Sequence, residues 1–166
     1  MNVNYKFKTT PYDHQRTALD AAGNRDAFGF FMEMGTGKSK VLIDNLGVLF
    51  QQGKCNFALI IAPKGVYRNW VAKEIPEHMS DDVPNRVIRW VSSPNKKQKK
   101  ELESIKEPYS GLTIFVMNVE AFSTVKGQTA GNWLAKKFGR FGMIAIDEST
   151  TIKNHKAKRT KALMKI

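Results

Sequence analysis

A glycine turn, Gly35-Thr36-Gly37-Lys38-Ser39, is answered far downstream by an acidic pair, Asp147-Glu148, and no other feature narrows the fold of this 166-residue chain as much. The glycines let the backbone fold back so that successive N–H groups point at anionic oxygens. Lys38 can reach the outer phosphates of a nucleotide, and the Ser39 hydroxyl is the expected magnesium ligand. The apolar run Ala27-Phe28-Gly29-Phe30-Phe31 before the turn suits a buried strand. After it, Val41, Leu42, Ile43, Leu46, Val48, Leu49 and Phe50 suit a buried helix that stops near Gly53. The N-terminus of that helix would meet the phosphates with a favourable dipole.

Gly142-Met143-Ile144-Ala145-Ile146 reads as a second buried strand, delivering Asp147 and Glu148 at its C-terminal edge. Parallel α/β sheets place ligand chemistry at that edge. Asp147 is expected to hold magnesium, and Glu148 to polarise the attacking water. The pair of elements points to a chain that binds ATP with Mg2+ and takes part in its hydrolysis. One departure is visible. The strict pattern G-x-x-x-x-G-K-[ST] asks for glycine at position 32, where this chain has Met32.

These residues resemble the first motor lobe of the superfamily 2 helicases and translocases, most closely the Swi/Snf-type branch with its bacterial and phage members. Glu33-Met34-Gly35-Thr36-Gly37-Lys38-Ser39 is similar to that branch's E-M-G-x-G-K-[ST], which also lacks the first glycine. The resemblance implies that Met34 through Ser39 form the nucleotide cradle. Asp147-Glu148-Ser149-Thr150 stands where the family has D-E-A-H or a relative, and Ile152-Lys153-Asn154 resembles the I-K-N that follows in remodeller-like members. Pro11-Tyr12-Asp13-His14-Gln15 resembles the family's proline-and-glutamine element, which implies that Gln15 reads the adenine edge. Leu59-Ile60-Ile61-Ala62-Pro63-Lys64, with Trp70 behind it, is similar to the strand-then-P-K segment that touches the nucleic-acid backbone. Ile114 to Phe122 resembles the next strand and its tail. The implied nucleic-acid contacts are Lys64, Lys153 and Asn154, with an ordinary surface lysine or a local loop role as the competing readings. Thr150 replaces a residue that often couples this motif to the next one, and the next motif and the second lobe with its arginine fingers do not follow before Ile166.

Composition bounds the remainder. The net charge is +12, and it is lopsided. Residues 1–83 carry ten Lys and Arg against nine Asp and Glu, residues 84–166 seventeen against six. Such an excess reads as a surface for a polyanion, or as a solvated basic face with no partner. No apolar stretch approaches the ~20 residues of a membrane span, so no membrane partner is expected. The lone Cys55 fits a reducing compartment and a buried small side chain. His14, His78 and His155 show no ligand spacing. Together with the resemblance, the expected location is the cytoplasm of a bacterium or phage-infected cell.

Along the chain, Thr10-Pro11 suits the start of a helix ending at Gly23, with Thr10 as N-cap. Further strands are expected near 56–62, 86–91 and 112–118. Val66 to Ile75 reads as a helix ended by Pro76, and Ser93-Pro94 opens a peripheral lysine-rich helix that Pro108 halts. Trp133 to Phe138 reads as a helical turn or two, and a basic helix closes the chain. Met79–Pro84 and Ser123–Gly131 read as loops, and Trp70, Trp90 and Trp133 as core or half-buried anchors.

The expectation is one α/β domain over 1–166, a RecA-like P-loop NTPase lobe with a mainly parallel sheet flanked by helices, incomplete at its C-terminus. Its expected function is the ATP-binding lobe of a DNA-dependent ATPase, a helicase or double-strand translocase, with DNA favoured over RNA. A C-terminal motor lobe in the same or another chain would complete hydrolysis, leaving the isolated chain nearly inactive. The alternative is a non-enzymatic nucleic-acid- or partner-binding module with a vestigial nucleotide site. A small-substrate phosphate-loop kinase is disfavoured by Met32 and by missing lid and acceptor-site signals.

Overall fold

The computed structural model describes residues 4–23, 25–33 and 35–166, the side chains of Ser149 and Thr151 aside. Two apolar segments set the architecture. β1 (Phe57–Ala62) buries every residue, and β3 (Leu112–Asn118) buries all but its last. Strands apolar on both faces belong at the centre of a parallel sheet. The order is β2-β3-β1-β4, with β2 (Asn85–Arg89) and β4 (Gly142–Ile146) at the edges and every pairing parallel. Phe57 sits in register with Thr113 on one side and Gly142 on the other.

Alternate side chains of β1 enter opposite layers. Ala58, Ile60 and Ala62 pack with Ile43 and Leu46 of α2 (Lys38–Gln51) and with Trp70 and Ile75. Phe57, Leu59 and Ile61 pack with Phe115, Met117, Phe122 and Leu134. This is the α/β, mainly parallel, helix-flanked lobe that the sequence suggests.

Several local expectations need correction. The run Ala27–Phe31 forms no strand: residues 27–33 carry no regular structure, and Phe31 is 99% exposed. A strand needs a neighbour for its ladder, and among the described residues β4 pairs only with β1. For the same reason β4 is not a buried strand. Only Ala145 is buried in it, and Ile144 is 46% exposed.

α1 (Asp13–Ala22) is capped at Tyr12 rather than Thr10 and ends at Gly23. Pro76 does not end the helix that begins with α3 (Tyr67–Asn69). A π-helical turn over Trp70–Glu74 intervenes, and α4 (Ile75–His78) carries the proline in its first turn. There the missing N–H costs nothing. α5 (Lys96–Glu103) buries no residue and starts at Asn95, whose side chain accepts from the Gln98 N–H at 2.9 Å. Residues 125–131 are not a loop but belong to α6 (Val125–Phe138), capped by Thr124. Gly127 and Gly131 weaken the apolar pattern there, yet Gly127 is required: a Cβ would lie 2.1 Å from the Ala121 carbonyl oxygen. Met79 and Val83 pack into the core although their segment is irregular. α7 (Lys158–Leu163) is the basic terminal helix. Among the described residues, no helix is long and apolar enough to cross a membrane.

The N-terminal arm is fastened to α2 by a buried charge network. Lys40 Nζ lies 2.6 Å from Asp44 Oδ2 and donates to the Thr9 carbonyl at 2.8 Å, while the Tyr5 hydroxyl donates to Asp44 Oδ1 at 3.3 Å. Burial pushes the Asp44 carboxyl and the Tyr5 phenol up, and Lys40 draws the Asp44 carboxyl back down. Asp44→Ala would strand the buried ammonium and is expected to cost about 3–5 kcal/mol, whereas Lys40→Met with Asp44→Leu should recover most of that loss. Denaturant unfolding of the three proteins measures both effects.

Candidate nucleotide site

α2 has 14 residues and so rises about 21 Å. Residues 52–56 return the chain to the start of β1, whose six residues span about 20 Å. A straight return of that length would put its first residues, Lys38 and Ser39, level with the strands' C-terminal ends, where β4 delivers Asp147. The N-cap of α2 is Gly37 in the left-handed region (φ 78°), and no side chain caps the helix. Gly35 is also left-handed (φ 81°), with open space where a Cβ would stand. An uncapped helix N-terminus behind two left-handed glycines leaves first-turn N–H groups for an anion. Those residues suit a phosphate. Met34 lies outside the described residues.

The turn is held by its neighbours. Gln15 is buried, donates through Nε2 to the Thr36 carbonyl at 3.0 Å and accepts the Tyr12 N–H at 3.0 Å. His14 Nε2 also lies 3.0 Å from the Thr36 carbonyl, and the Thr36 hydroxyl donates to the Glu33 carbonyl at 2.7 Å. Gln15, expected at the adenine edge, thus spends its amide on the loop itself. The Lys38 ammonium donates to the Met32 carbonyl at 3.0 Å and the Glu33 carbonyl at 2.8 Å. Both acceptors are neutral and weaker partners than a phosphate oxygen. Ser39, half-buried, is the second residue of α2.

On the sheet side, the Asp147 N–H donates to the Ile61 carbonyl at 2.8 Å, the last rung before the chain leaves β4. Glu148 follows at φ 52°, ψ 66°, the one non-glycine residue with positive φ among those described. Such a conformation costs about 1–3 kcal/mol and collects at functional sites. The Asp147 carboxylate accepts the Trp70 indole N–H at 2.9 Å. A carboxylate oxygen and a serine hydroxyl are the hard donors that magnesium takes, so this set fits the ion.

Lys64 is exposed just beyond β1, and its backbone N–H donates to Glu120 Oε1 at 3.3 Å. Lys153 and Asn154 are exposed after the 3-10 turn Ser149–Ile152. Asn154 Oδ1 accepts the Lys156 N–H at 3.0 Å, a local turn contact. Three residues of this edge escaped the sequence reading. His14 and Glu120 lay inside motifs singled out for other members, and nothing in the spacing connects Trp70 to Asp147. A separate cavity of about 330 Å³, lined by Arg86, Lys106, Tyr109 and Lys137 with Asn56 and Thr113, opens at the opposite edge, where the strands begin.

Burial would raise the Glu120 carboxyl, but hydrogen bonds from Asn118 Nδ2 (3.1 Å) and backbone N–H groups, with Arg159 nearby, hold it below its ordinary value of 4.5. A depressed carboxyl contributes stability that is complete above the unfolded value and is lost as pH falls through the native one. Glu120→Gln should therefore flatten the acid limb of the stability profile, measured by urea unfolding across the acid range.

Comparisons with known proteins give the family and the fold. The SNF2-related domain family matches residues 26–166. Among solved structures, the chain is similar to the Sulfolobus solfataricus SWI2/SNF2 ATPase core in complex with dsDNA, at 16% identity and a TM-score of 0.57. The match covers 98% of this chain and 36% of that one, so the chain spans about a third of the structure it resembles. No curated protein sequence matches significantly. With 141 consecutive residues in the matched region and a parallel sheet of the same fold, the chain belongs to the SNF2-related domain family, as an N-terminal RecA-like lobe of the Snf2-like branch of superfamily 2.

Proposed function

We propose that this chain is the ATP-binding lobe of a DNA-dependent ATPase, a helicase or double-strand translocase, whose hydrolysis is completed by a second lobe. Two features support the reading: an uncapped α2 N-terminus behind Gly35 and Gly37, and Asp147 at the C-terminal end of β4, which the matched lengths of α2 and β1 would put at one sheet edge. Met34 to Ser39 would cradle the phosphates, with Lys38 exchanging two carbonyls for phosphate oxygens. Ser39 and Asp147 would hold magnesium, which when bound neutralises charge on the transferring phosphoryl group. Glu148 would orient the attacking water, and Gln15, braced on Thr36, would keep the loop in place beside the base.

DNA is favoured over RNA because the similar Sulfolobus core is a complex with dsDNA. Lys64, at the same edge, and Lys153 with Asn154 are the proposed backbone contacts. Phosphate contacts by such side chains tolerate any sequence, as tracking requires. The open edge of β4 and the exposed Phe28 and Phe31 support a further strand in the working protein. A C-terminal lobe, in the same or another chain, would supply the arginine finger, whose loss typically lowers turnover by roughly 10³–10⁵-fold. The working place proposed is the cytoplasm of a bacterial or phage-infected cell.

Lys38→Ala is expected to weaken ATP binding in magnesium at least tenfold by calorimetry, and undiminished binding would sink the nucleotide site, leaving the vestigial-module alternative. In filter binding across a salt series, affinity for duplex DNA should fall steeply with ionic strength, and a flat response would remove phosphate contact as the explanation. The 166-residue chain alone should turn ATP over at little above background, and robust DNA-stimulated turnover would contradict the need for a second lobe.

A further inference from the structure

Trp70 and Asp147 are 77 positions apart and meet through one hydrogen bond, indole Nε1–H to carboxylate Oδ2, at 2.9 Å. We infer that Trp70 is a positioning residue for the magnesium-holding carboxylate, fixing the Asp147 side chain so that its second oxygen serves the metal. The inference rests on the nucleotide-site reading above and deepens it.

Three observations carry it. Trp70 is 2% exposed and packed in the layer that holds Ile60, Ala62 and Ile75, so its ring has no room to turn. It opens the π-helical turn Trp70–Glu74, closed by the Ile75 N–H on the Trp70 carbonyl, and such turns are frequent at functional sites. The contact is not a mere requirement of burial. Trp90 is 7% exposed and its indole nitrogen has no partner among the described residues, so this fold accommodates a buried indole without one.

The chemistry suits the task. An indole nitrogen donates only and cannot compete for the metal. It is also neutral, so it orients the carboxylate without cancelling the charge, as a lysine or arginine would. Asp147 is then fixed twice, by its N–H on the Ile61 carbonyl and by its side chain on Trp70. One carboxylate oxygen is left for the ion or its water. Partners that orient metal ligands in this way typically account for 10–100-fold in metal affinity.

The test uses the 166-residue chain, ATP and magnesium. Trp70→Phe keeps an aromatic ring and removes the donor. Calorimetric ATP titrations at graded magnesium should show the half-saturating magnesium concentration raised about tenfold or more, with ATP affinity in EDTA unchanged. An identical magnesium dependence in both proteins overturns the inference. So does an equal loss with and without metal, which would mark Trp70 as packing only. Should Trp70→Phe not fold, the indole N–H resonance of Trp70, assigned with Trp90→Phe and Trp133→Phe, reads the same contact. It should move on adding ATP with magnesium, and less on ATP in EDTA; an unmoved resonance overturns the inference. If the wild-type chain takes up no ATP at any magnesium concentration, the nucleotide site itself falls and this inference with it, a pattern distinct from the others.

Discussion

β1 is hydrogen-bonded along both sides, to β3 and to β4, and the arrangement of the molecule follows from that placement. Its backbone polar groups have no access to water, so they must be matched by parallel neighbours in register. The register brings Ala62 level with Asn118, and Ile61 level with Ile146. The strand ends, and the chemistry they carry, consequently form a single edge. Lys64 leaves from β1, Glu120 follows β3, and Asp147 follows β4. The two faces of β1 divide the apolar side chains into separate layers, one under α2 and the π-turn helix, the other under α6 and α7.

Around this edge, polar side chains do the fastening. The N-terminal arm reaches α2 through Lys40, Asp44 and Tyr5, and α1 then presents His14 and Gln15 to the Thr36 carbonyl. The glycine turn is thus braced from outside by residues that precede it. Glu120 links the segment after β1 to the end of β3 in the same manner. A buried ion pair contributes little net stability compared with an apolar pair of equal volume. Its value here is geometric, because the ammonium also fixes the Thr9 carbonyl and so the path of the arm.

Much of this was legible beforehand. Strands at 57–62 and 112–118 of a mainly parallel sheet are expected from the sequence, and Gly35 and Gly37 mark a turn before a helix; that β1 and β3 are the two central strands is seen only in the fold. Failures came where local pattern and tertiary context disagree. Phe28 and Phe31 look like strand residues, but a strand is a shared object and none of the described residues pairs with them. Gly127 and Gly131 look like loop residues, yet they are the points where α6 touches the Ala121 carbonyl and the Phe122 ring. Pro76 looks like a stop, and the π-turn before it places it where its missing N–H is harmless.

The sequence alone determined the chemistry available and part of the local geometry: strands at 57–62 and 112–118, the glycines that turn the chain, and the carboxylates that end a strand. These depend on neighbours a few residues apart, through side-chain periodicity and backbone stereochemistry. Only the tertiary structure decided that Gln15 braces Thr36, that Lys40 finds Asp44 and Thr9 together, and that Trp70 reaches Asp147. Those contacts join segments up to 77 positions apart, and it is strand order and register, not spacing along the chain, that bring them within hydrogen-bonding distance.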